Sequence, residues 1–552
     1  MSCYLRVNFF AMKPWFFLSL LLVLSSIYSC NNHPHKPGVV VVADEPFPQK
    51  LQSLLKPVDT TGIRHIRSVN DELRITYQET GYQPVWLKSN YVPKKSVSRL
   101  LTELEDLYWD GLDTARFHLT SLNLLKEKMD TTKENSLTDA IQLDTLLTHC
   151  YLIAAKELLV GRINPKKADS LWFHVNDTTW NAPQLLVNAS EGYPSLDLFR
   201  SKVPTYQLLR DEYKRYSLLQ ADTTFIQALE NIDHSLPPDS EALANIKWLM
   251  KAEMPWVETI QNDTISQQKQ LIFAYQTYTG IMPSGKLDSN TLAHLATPID
   301  TFISKILANM ERVRWMQQQF GDLYLIVDVP LAELFLRKGG ENAMHMRVVV
   351  GKPERQTPSL FATMTNIVIN PDWGVPPTIL KKDVIPGMQK SGKSYLTKKG
   401  LKVYDKDGKI VAYSSLSPRN YKNYTYKQAP GDDNSLGYVK FNLPNPWDIY
   451  LHDTPHRDDF SKRLRALSSG CIRLHHPQEM AVYILSELEK KRYTLDRLDT
   501  VISTHKTRYE YLKNKIPVHI AYLTAFEDTT GKHIRFARDI YQRDEKLMSL
   551  LQ

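Results

Sequence analysis

The sequence predicts a multidomain α+β protein, in which a helical domain and a small three-helix module precede a mainly β domain carrying a helix near its end. Three observations predict it. With 552 residues and 42% hydrophobic content, the chain exceeds what one core sustains, and roughly two to four domains are expected. Apolar residues recur at helical spacing through most of residues 65–298, and the spacing changes to alternation near residue 323.

Taken in order, the chain begins with an export signal. Lys13 is followed by an apolar run over residues 14–27 and then by Tyr28-Ser29-Cys30. The run is short of the ~20 residues a spanning helix needs, and a cysteine stands where cleavage would occur, so residues 1–30 read as a lipoprotein-type signal with lipidation at Cys30. An uncleaved membrane anchor is the alternative, because Tyr28 is larger than the residue usual at that position. Met12 offers a second start site. Either reading places the body in the cell envelope, on the periplasmic side, and Asn31 after Cys30 favours the outer membrane over the inner.

Residues 31–64, with Pro34, Pro37, Pro46, Pro48 and Pro57, read as a flexible tether. Residues 65–238 form the helical domain, in which Leu100, Leu101, Leu104 and Leu107 share one face; Cys150 lies in an apolar helical stretch and is assigned to the core. Residues 239–298 read as helix, glycine turn and helix, with Gly280 and Gly285 in the turn. A linking helix covers 299–320. The β domain is placed at 321–490, opening with a hairpin in which Ala332, Leu334 and Leu336 alternate before Gly339-Gly340 and Met344, Met346, Val348 and Val350 alternate after it. Further strands are expected at 366–370, 439–443 and 448–452, and a helix from Pro477. An insert over 386–438 is rich in lysine, tyrosine, serine and glycine. The extension 491–552 adds a strand around 517–523 or packs on the helical region.

The net charge of +8 is spread without long blocks. It suits an anionic polymer without specifying nucleic acid, and no nucleic-acid partner, cofactor or metal is assigned.

The residues that carry chemistry lie in two short segments. Tyr450-Leu451-His452-Asp453-Thr454 is followed, nineteen residues after His452, by Cys471 within Ser468-Ser469-Gly470-Cys471-Ile472-Arg473. A free thiol, with a pKa of roughly 8.5, is mostly protonated at neutral pH, so a nucleophilic cysteine needs a base beside it. His452, at the end of an expected strand, supplies one. The Ser-Ser-Gly turn before Cys471 exposes the sulfur beside N–H groups suited to an oxyanion.

These residues resemble the YkuD-type L,D-transpeptidase catalytic domain, whose signature is a histidine followed by Ser-x-Gly-Cys-x-Arg. The likeness is closest to the large YcbB-like subgroup, through Val349–Pro358, Asn370–Thr378, Tyr450–Pro455 and Arg465–Arg473, and it extends to Gly81–Trp86 and Asp110–Asp113 in the helical region. Residues 239–298 are similar to the three-helix peptidoglycan-binding module, with Ser284-Gly285 in place of its Asp-Gly turn. The resemblance implies a YkuD-type β-sandwich with Cys471 as nucleophile and His452 as general base and acid. It also implies peptidoglycan stem peptides as substrates, a tetrapeptide donor and a diamino acid acceptor, and acylation by carbapenems. Gly470, Ser469, Ser468, Arg473, Tyr450 and Trp373 are candidate substrate or turn residues, and the insert resembles a lid. Ser469 stands where many members carry histidine, and its backbone carbonyl is the candidate to orient His452.

Three rival readings remain at this level. His452, His456, His475 and His476 would be zinc ligands of an envelope peptidase, but Pro455 breaks the helical spacing such a site needs. The same Cys/His pair would serve a hydrolase that passes the thioester to water. An inert binding scaffold would require His452 and Cys471 to lie far apart.

Overall fold

The computed structural model describes residues 46–57, 68–176, 178–189, 193–257, 265–318 and 320–552. The signal segment, Cys30 and most of the expected tether lie outside the described residues. One stretch of that tether is ordered, contrary to expectation. Phe47–Leu54 is helical, because Phe47 and Leu51, one turn apart, are both buried, and the Phe47 ring lies 5.9 Å from that of Tyr91.

The chain divides into two compact units. The first takes in residues up to 105, together with 114–155 and 180–196. Its helix Val69–Glu79 starts at Ser68, whose hydroxyl accepts the Asp71 N–H. Buried Asp144, on the long helix Leu137–Val160, accepts the N–H groups of Val85 and Trp86 at 3.0 and 2.8 Å and the Tyr77 hydroxyl at 2.5 Å. Burial pushes its carboxyl up to about 6. A buried acid thus fixes the Gly81–Trp86 segment. Cys150 is in this core, donating to the Phe117 carbonyl at 3.4 Å, and burial pushes its thiol up to about 12. It is inert packing.

The second unit comprises residues 106–113, 156–179 and 197–552. Its longest segment begins at residue 197, inside the range 65–238 expected for the helical domain. The reason is the helix Pro204–Ala221. Its Tyr206, Leu209, Tyr213 and Tyr216 enter one apolar cluster with Phe302, Ile306, Met310 and Val313 of the helix Ile299–Trp315. The three helices Ser240–Glu253, Ile265–Tyr278 and Ser289–Leu295 supply Leu249, Tyr275, Leu292 and Leu295 to the same cluster. Gln276 locks their turn. Its Oε1 accepts the N–H groups of Ser284 and Gly285, and its Nε2 donates to the Lys286 carbonyl and the Thr291 hydroxyl. The residues that resemble a binding motif are occupied in holding the module together.

Among the described residues the β domain contains fourteen strands after β1 (Trp172–Phe173): β2 (Leu323–Asp328), β3 (Glu333–Lys338), β4 (Glu341–Gly351), β5 (Ser359–Ile369), β6 (Trp373–Gly374), β7 (Leu401–Tyr404), β8 (Thr425–Gln428), β9 (Val439–Asn442), β10 (Leu451–His452), β11 (Ala466–Ser468), β12 (Ile472–Leu474), β13 (Arg508–Ala521), and the pair β14 (Ala525–Glu527) and β15 (Ile534–Phe536). The expected hairpin is β3–β4, closed by Gly339 and Gly340 at φ +60° and +80°. The main pairing runs β5-β13-β2-β3-β4-β12-β10-β9, and β9 pairs back onto β5, so the sheet closes on itself. Its interior holds Leu325, Leu334, Val348, Ile367, Phe441, Leu451, Ile472 and Val518.

The segment 491–552 is integral to this ring. Strand β13 lies between β5 and β2, parallel to β2, with Val518 and Ile520 buried. The insert forms a separate three-stranded sheet, β6-β8-β7, packed with short helices around Val384, Met388, Leu396, Val403 and Tyr426. After the Cys471 turn comes the expected helix at Pro477–Tyr483, continued to Leu488 in a wider turn.

Candidate active site

Strand pairing brings the two motif segments together. Strand β10 runs parallel to β12 with Leu451 beside Ile472 and His452 beside Arg473; one step earlier, the Ile472 N–H donates to the Tyr450 carbonyl at 3.2 Å. Side chains alternate along strands. Leu451 and Ile472 therefore point into the core, where both are fully buried. Tyr450, His452, Cys471 and Arg473 share the other face, with Cys471 and His452 as diagonal neighbours. The Tyr450 and His452 ring centroids are 5.5 Å apart.

The imidazole has a defined tautomer. His452 Nδ1 lies 2.5 Å from the Asp453 backbone carbonyl. A carbonyl only accepts, so Nδ1 carries the proton and Nε2 keeps its lone pair. The orienting group is thus the Asp453 carbonyl and not that of Ser469, because the chain turns out of β10 at Asp453 and folds its carbonyl back under the ring. The Asp453 carboxylate fixes that turn, accepting the N–H groups of Tyr438 at 2.9 Å and Thr454 at 2.6 Å and pairing with Arg457 at 2.5 Å. Gly437, at φ +58°, passes so close that a Cβ would lie 2.4 Å from this carboxylate.

Two cations flank the imidazole. Lys440 of β9 is directly opposite His452 on one side, and Arg473 of β12 is beside it on the other. Burial first, then Arg473, with Lys440 adding less, holds His452 down at about 3, against the pull of the Asp453 carbonyl. Arg473 is paired with Asp459 at 3.0 Å. The Lys440 ammonium instead stands 4.2 Å above the Tyr450 ring.

Cys471 is half-buried, with Sγ 3.6 Å from the Asp448 carbonyl. Burial pushes the thiol up, while the Tyr450 N–H and hydroxyl and the Lys440 ammonium pull it down. At neutral pH the resting pair is therefore a thiol beside a neutral imidazole. The Tyr450 hydroxyl also meets the Trp373 indole, and Trp373 packs half-buried on the core of the insert.

The turn before the thiol is held from several sides. Ser468 Oγ accepts the Gly470 N–H at 3.1 Å and donates to the Cys471 carbonyl at 2.6 Å. Ser469 Oγ accepts from Arg355 at 2.8 Å, and Arg355 is paired with Asp383. Thr357 Oγ1 donates to the Gly470 carbonyl at 2.7 Å and accepts the Gly351 N–H at 2.9 Å. Gly470 sits at φ +122°, where a side chain would be strained. Both flanking strands, β11 and β12, pair with β4. Ser468 and Ser469 thus act within the turn.

Sequence reasoning missed Lys440, Asp453 and Thr357. Lys440 occupies a polar position in the alternating run 439–443, and only the pairing of β9 with β10 gives it meaning. Asp453 adjoins the candidate base in sequence, which was a usable signal. His456, His475 and His476 do not join His452 in a metal-binding group, and among the described residues no group of three His, Cys, Asp or Glu could hold a metal ion. Nor is any described helix long and apolar enough to cross a membrane.

Comparison with known proteins identifies two domains in the chain. Residues 322–502 match the L,D-transpeptidase catalytic domain, YkuD, and residues 71–212 match the Scaffold domain. A relative named putative L,D-transpeptidase, from Haemophilus influenzae, is 30% identical over 314 residues, covering 54% of this chain and 62% of the relative; the chain thus spans under two thirds of that protein. Among solved structures, an L,D-transpeptidase from Mycobacterium smegmatis shares 13% identity, covering 36% of this chain and 58% of the other, with a TM-score of 0.18. An Enterococcus faecium L,D-transpeptidase mutant shares 12%, covering 47% and 85%, with a TM-score of 0.19. Scores this low carry no weight, and the assignment stands on the matched domains. Residues 322–502 are thus a YkuD L,D-transpeptidase catalytic domain and residues 71–212 a Scaffold domain.

Proposed function

We propose that the chain is a peptidoglycan L,D-transpeptidase that links third-position residues of two stem peptides through a thioester on Cys471. The observation that carries this reading is the His452 tautomer, with Nδ1 tied to the Asp453 carbonyl and Nε2 unprotonated on the face that Cys471 shares. His452 Nε2 takes the thiol proton as Sγ attacks the carbonyl of the third residue of a tetrapeptide. The Gly470 N–H is already committed to Ser468, which leaves the Cys471 N–H as the turn's donor to the oxyanion. Collapse passes the proton to the leaving D-alanine amine. The side-chain amine of a second stem then attacks the thioester, gives its proton to His452, and the thiol is restored. The insert, reaching the site through Trp373, would keep water from the thioester. We place the enzyme on the periplasmic side of the envelope, held by lipid on Cys30.

Intact-mass analysis with disaccharide-tetrapeptide and with a carbapenem tests this reading. The expected result is a cross-linked dimer short of one D-alanine and a drug adduct on the protein, both lost in Cys471→Ala. Tripeptide without dimer would make the protein a hydrolase, and no Cys471-dependent change would leave a binding scaffold.

A further inference from the structure

The insert concentrates the chain's charge. Residues 386–438 hold ten lysines and arginines against four aspartates, a net +6 within a chain whose total is +8. The acids do little to balance it. Asp405 is turned into its own loop, accepting the Asp407 and Lys409 N–H groups, and Asp432 takes the Tyr438 hydroxyl. Among the described residues none of the ten cations is ion-paired, and Lys393 reaches only the Ser414 carbonyl, at 3.2 Å.

The sheet β6-β8-β7 orders part of this charge. Leu401, Val403 and Tyr426 are buried on one face, so alternation puts Lys402, Tyr404, Thr425 and Lys427 on the other. In the register of β7 with β8, Lys402 and Lys427 are directly opposite. Like charges directly opposite one another destabilise a strand pair. An anion resting between the two ammonium groups would relieve that repulsion. Gly374 of β6 continues the row beside Lys427 and is exposed, leaving the floor open, while the Lys427 ammonium is 5.5 Å from the Tyr404 ring. The neighbouring residue of β6 is Trp373, which meets Tyr450 at the thiol. The basic face therefore belongs to the same small sheet that borders the candidate active site.

We propose that this face, centred on Lys402, Lys427 and Tyr404, docks the free carboxylates of peptidoglycan stem peptides and so holds the wall polymer beside Cys471. It rests on the reading of peptidoglycan as substrate, and it assigns polymer capture to residues that take no part in the chemistry.

Co-sedimentation of the full-length Cys471→Ala protein with purified sacculi, in detergent and across a salt series, tests it. Wild-type binding should weaken steeply as salt rises and the screening length falls from ~10 Å at 0.1 M. Lys402→Gln/Lys427→Gln should weaken binding about tenfold, equivalent to ~1.4 kcal/mol, Lys402→Glu/Lys427→Glu should weaken it further, and Lys402→Arg/Lys427→Arg should restore it. In a chain that keeps Cys471, the same variants should be acylated by soluble disaccharide-tetrapeptide at the wild-type rate. Unchanged sedimentation of the glutamine and glutamate variants would overturn the proposal. So would the same losses on vesicles of phosphatidylglycerol with none on sacculi, which would make the face a membrane contact. If soluble tetrapeptide fails to acylate even the wild-type thiol, the transpeptidase reading falls while the sedimentation result is still read on its own.

Discussion

At the scale of single residues, the candidate site sets a neutral imidazole and a thiol close to one ammonium that has no ion-pair partner among the described residues. Arg473 has Asp459, but Lys440 faces the Tyr450 ring and lowers the cost of charge on Cys471. Lys440→Met should therefore raise the thiol pKa, and alkylation by iodoacetamide at pH 8 should slow by about three- to tenfold, with Lys440→Arg restoring most of the rate. In the wild type, alkylation should keep climbing above pH 9 and show no plateau near neutrality, because burial pushes the thiol up and holds His452 neutral. A plateau at pH 7 would mean a preformed thiolate–imidazolium pair, contrary to the arrangement seen here.

At the scale of elements, the turn before Cys471 is fixed by groups distant in sequence. Thr357, between β4 and β5, ties Gly470 to Gly351, and Tyr541 from the C-terminal segment donates to the Gly351 carbonyl at 2.5 Å and accepts the Thr357 N–H at 3.2 Å. Thr357→Val keeps the shape but leaves the Gly351 N–H and Gly470 carbonyl without their partner, a cost of ~1–3 kcal/mol for a buried group. Its acylation rate should fall about tenfold or more while the urea midpoint moves modestly, and equal wild-type rates would remove Thr357 from the turn's support. The β3–β4 hairpin responds differently. Gly340→Val places a β-branched residue at φ +80° and should cost ~1–2 kcal/mol in urea unfolding, with a smaller effect on acylation per molecule folded.

At the scale of the whole molecule, buried titratable groups set how stability follows pH. Burial holds His149, His174 and His294 near 4 and His452 near 3. Each is neutral in the fold and takes a proton on unfolding below about 6.5, so its contribution is complete above that pH and is lost as pH falls. Glu253, pushed up to about 8, and Asp144, pushed up to about 6, act in the opposite sense; their contribution is complete below about 4 and is lost as pH rises through those values. The melting temperature should peak near pH ~6.5. His294→Gln should flatten the acid limb and Glu253→Gln the alkaline one, as thermal melts across pH 4.5–8.5 would reveal; parallel curves for wild type and variants would refute the assignment.

The sequence by itself determined the local features. Alternation around Gly339-Gly340 specified the hairpin, helical spacing specified the helical regions, and Ser-Ser-Gly before Cys471 specified a turn exposing a sulfur, because each depends on neighbours a few residues apart. It also marked His452 as the candidate base, since thiol chemistry demands one. Only the tertiary structure decided what depends on pairing. The parallel register of β10 with β12 puts His452 and Cys471 on one face, the return of β9 onto β10 sets Lys440 opposite the imidazole, and the seating of β13 between β5 and β2 makes the C-terminal segment part of the ring. The same distinction explains why residues 197–238 pack with the later helices and why Phe47–Leu54 is helical. Periodicity shows that a face is apolar, but the partner that buries it lies far along the chain, and only the folded molecule selects it.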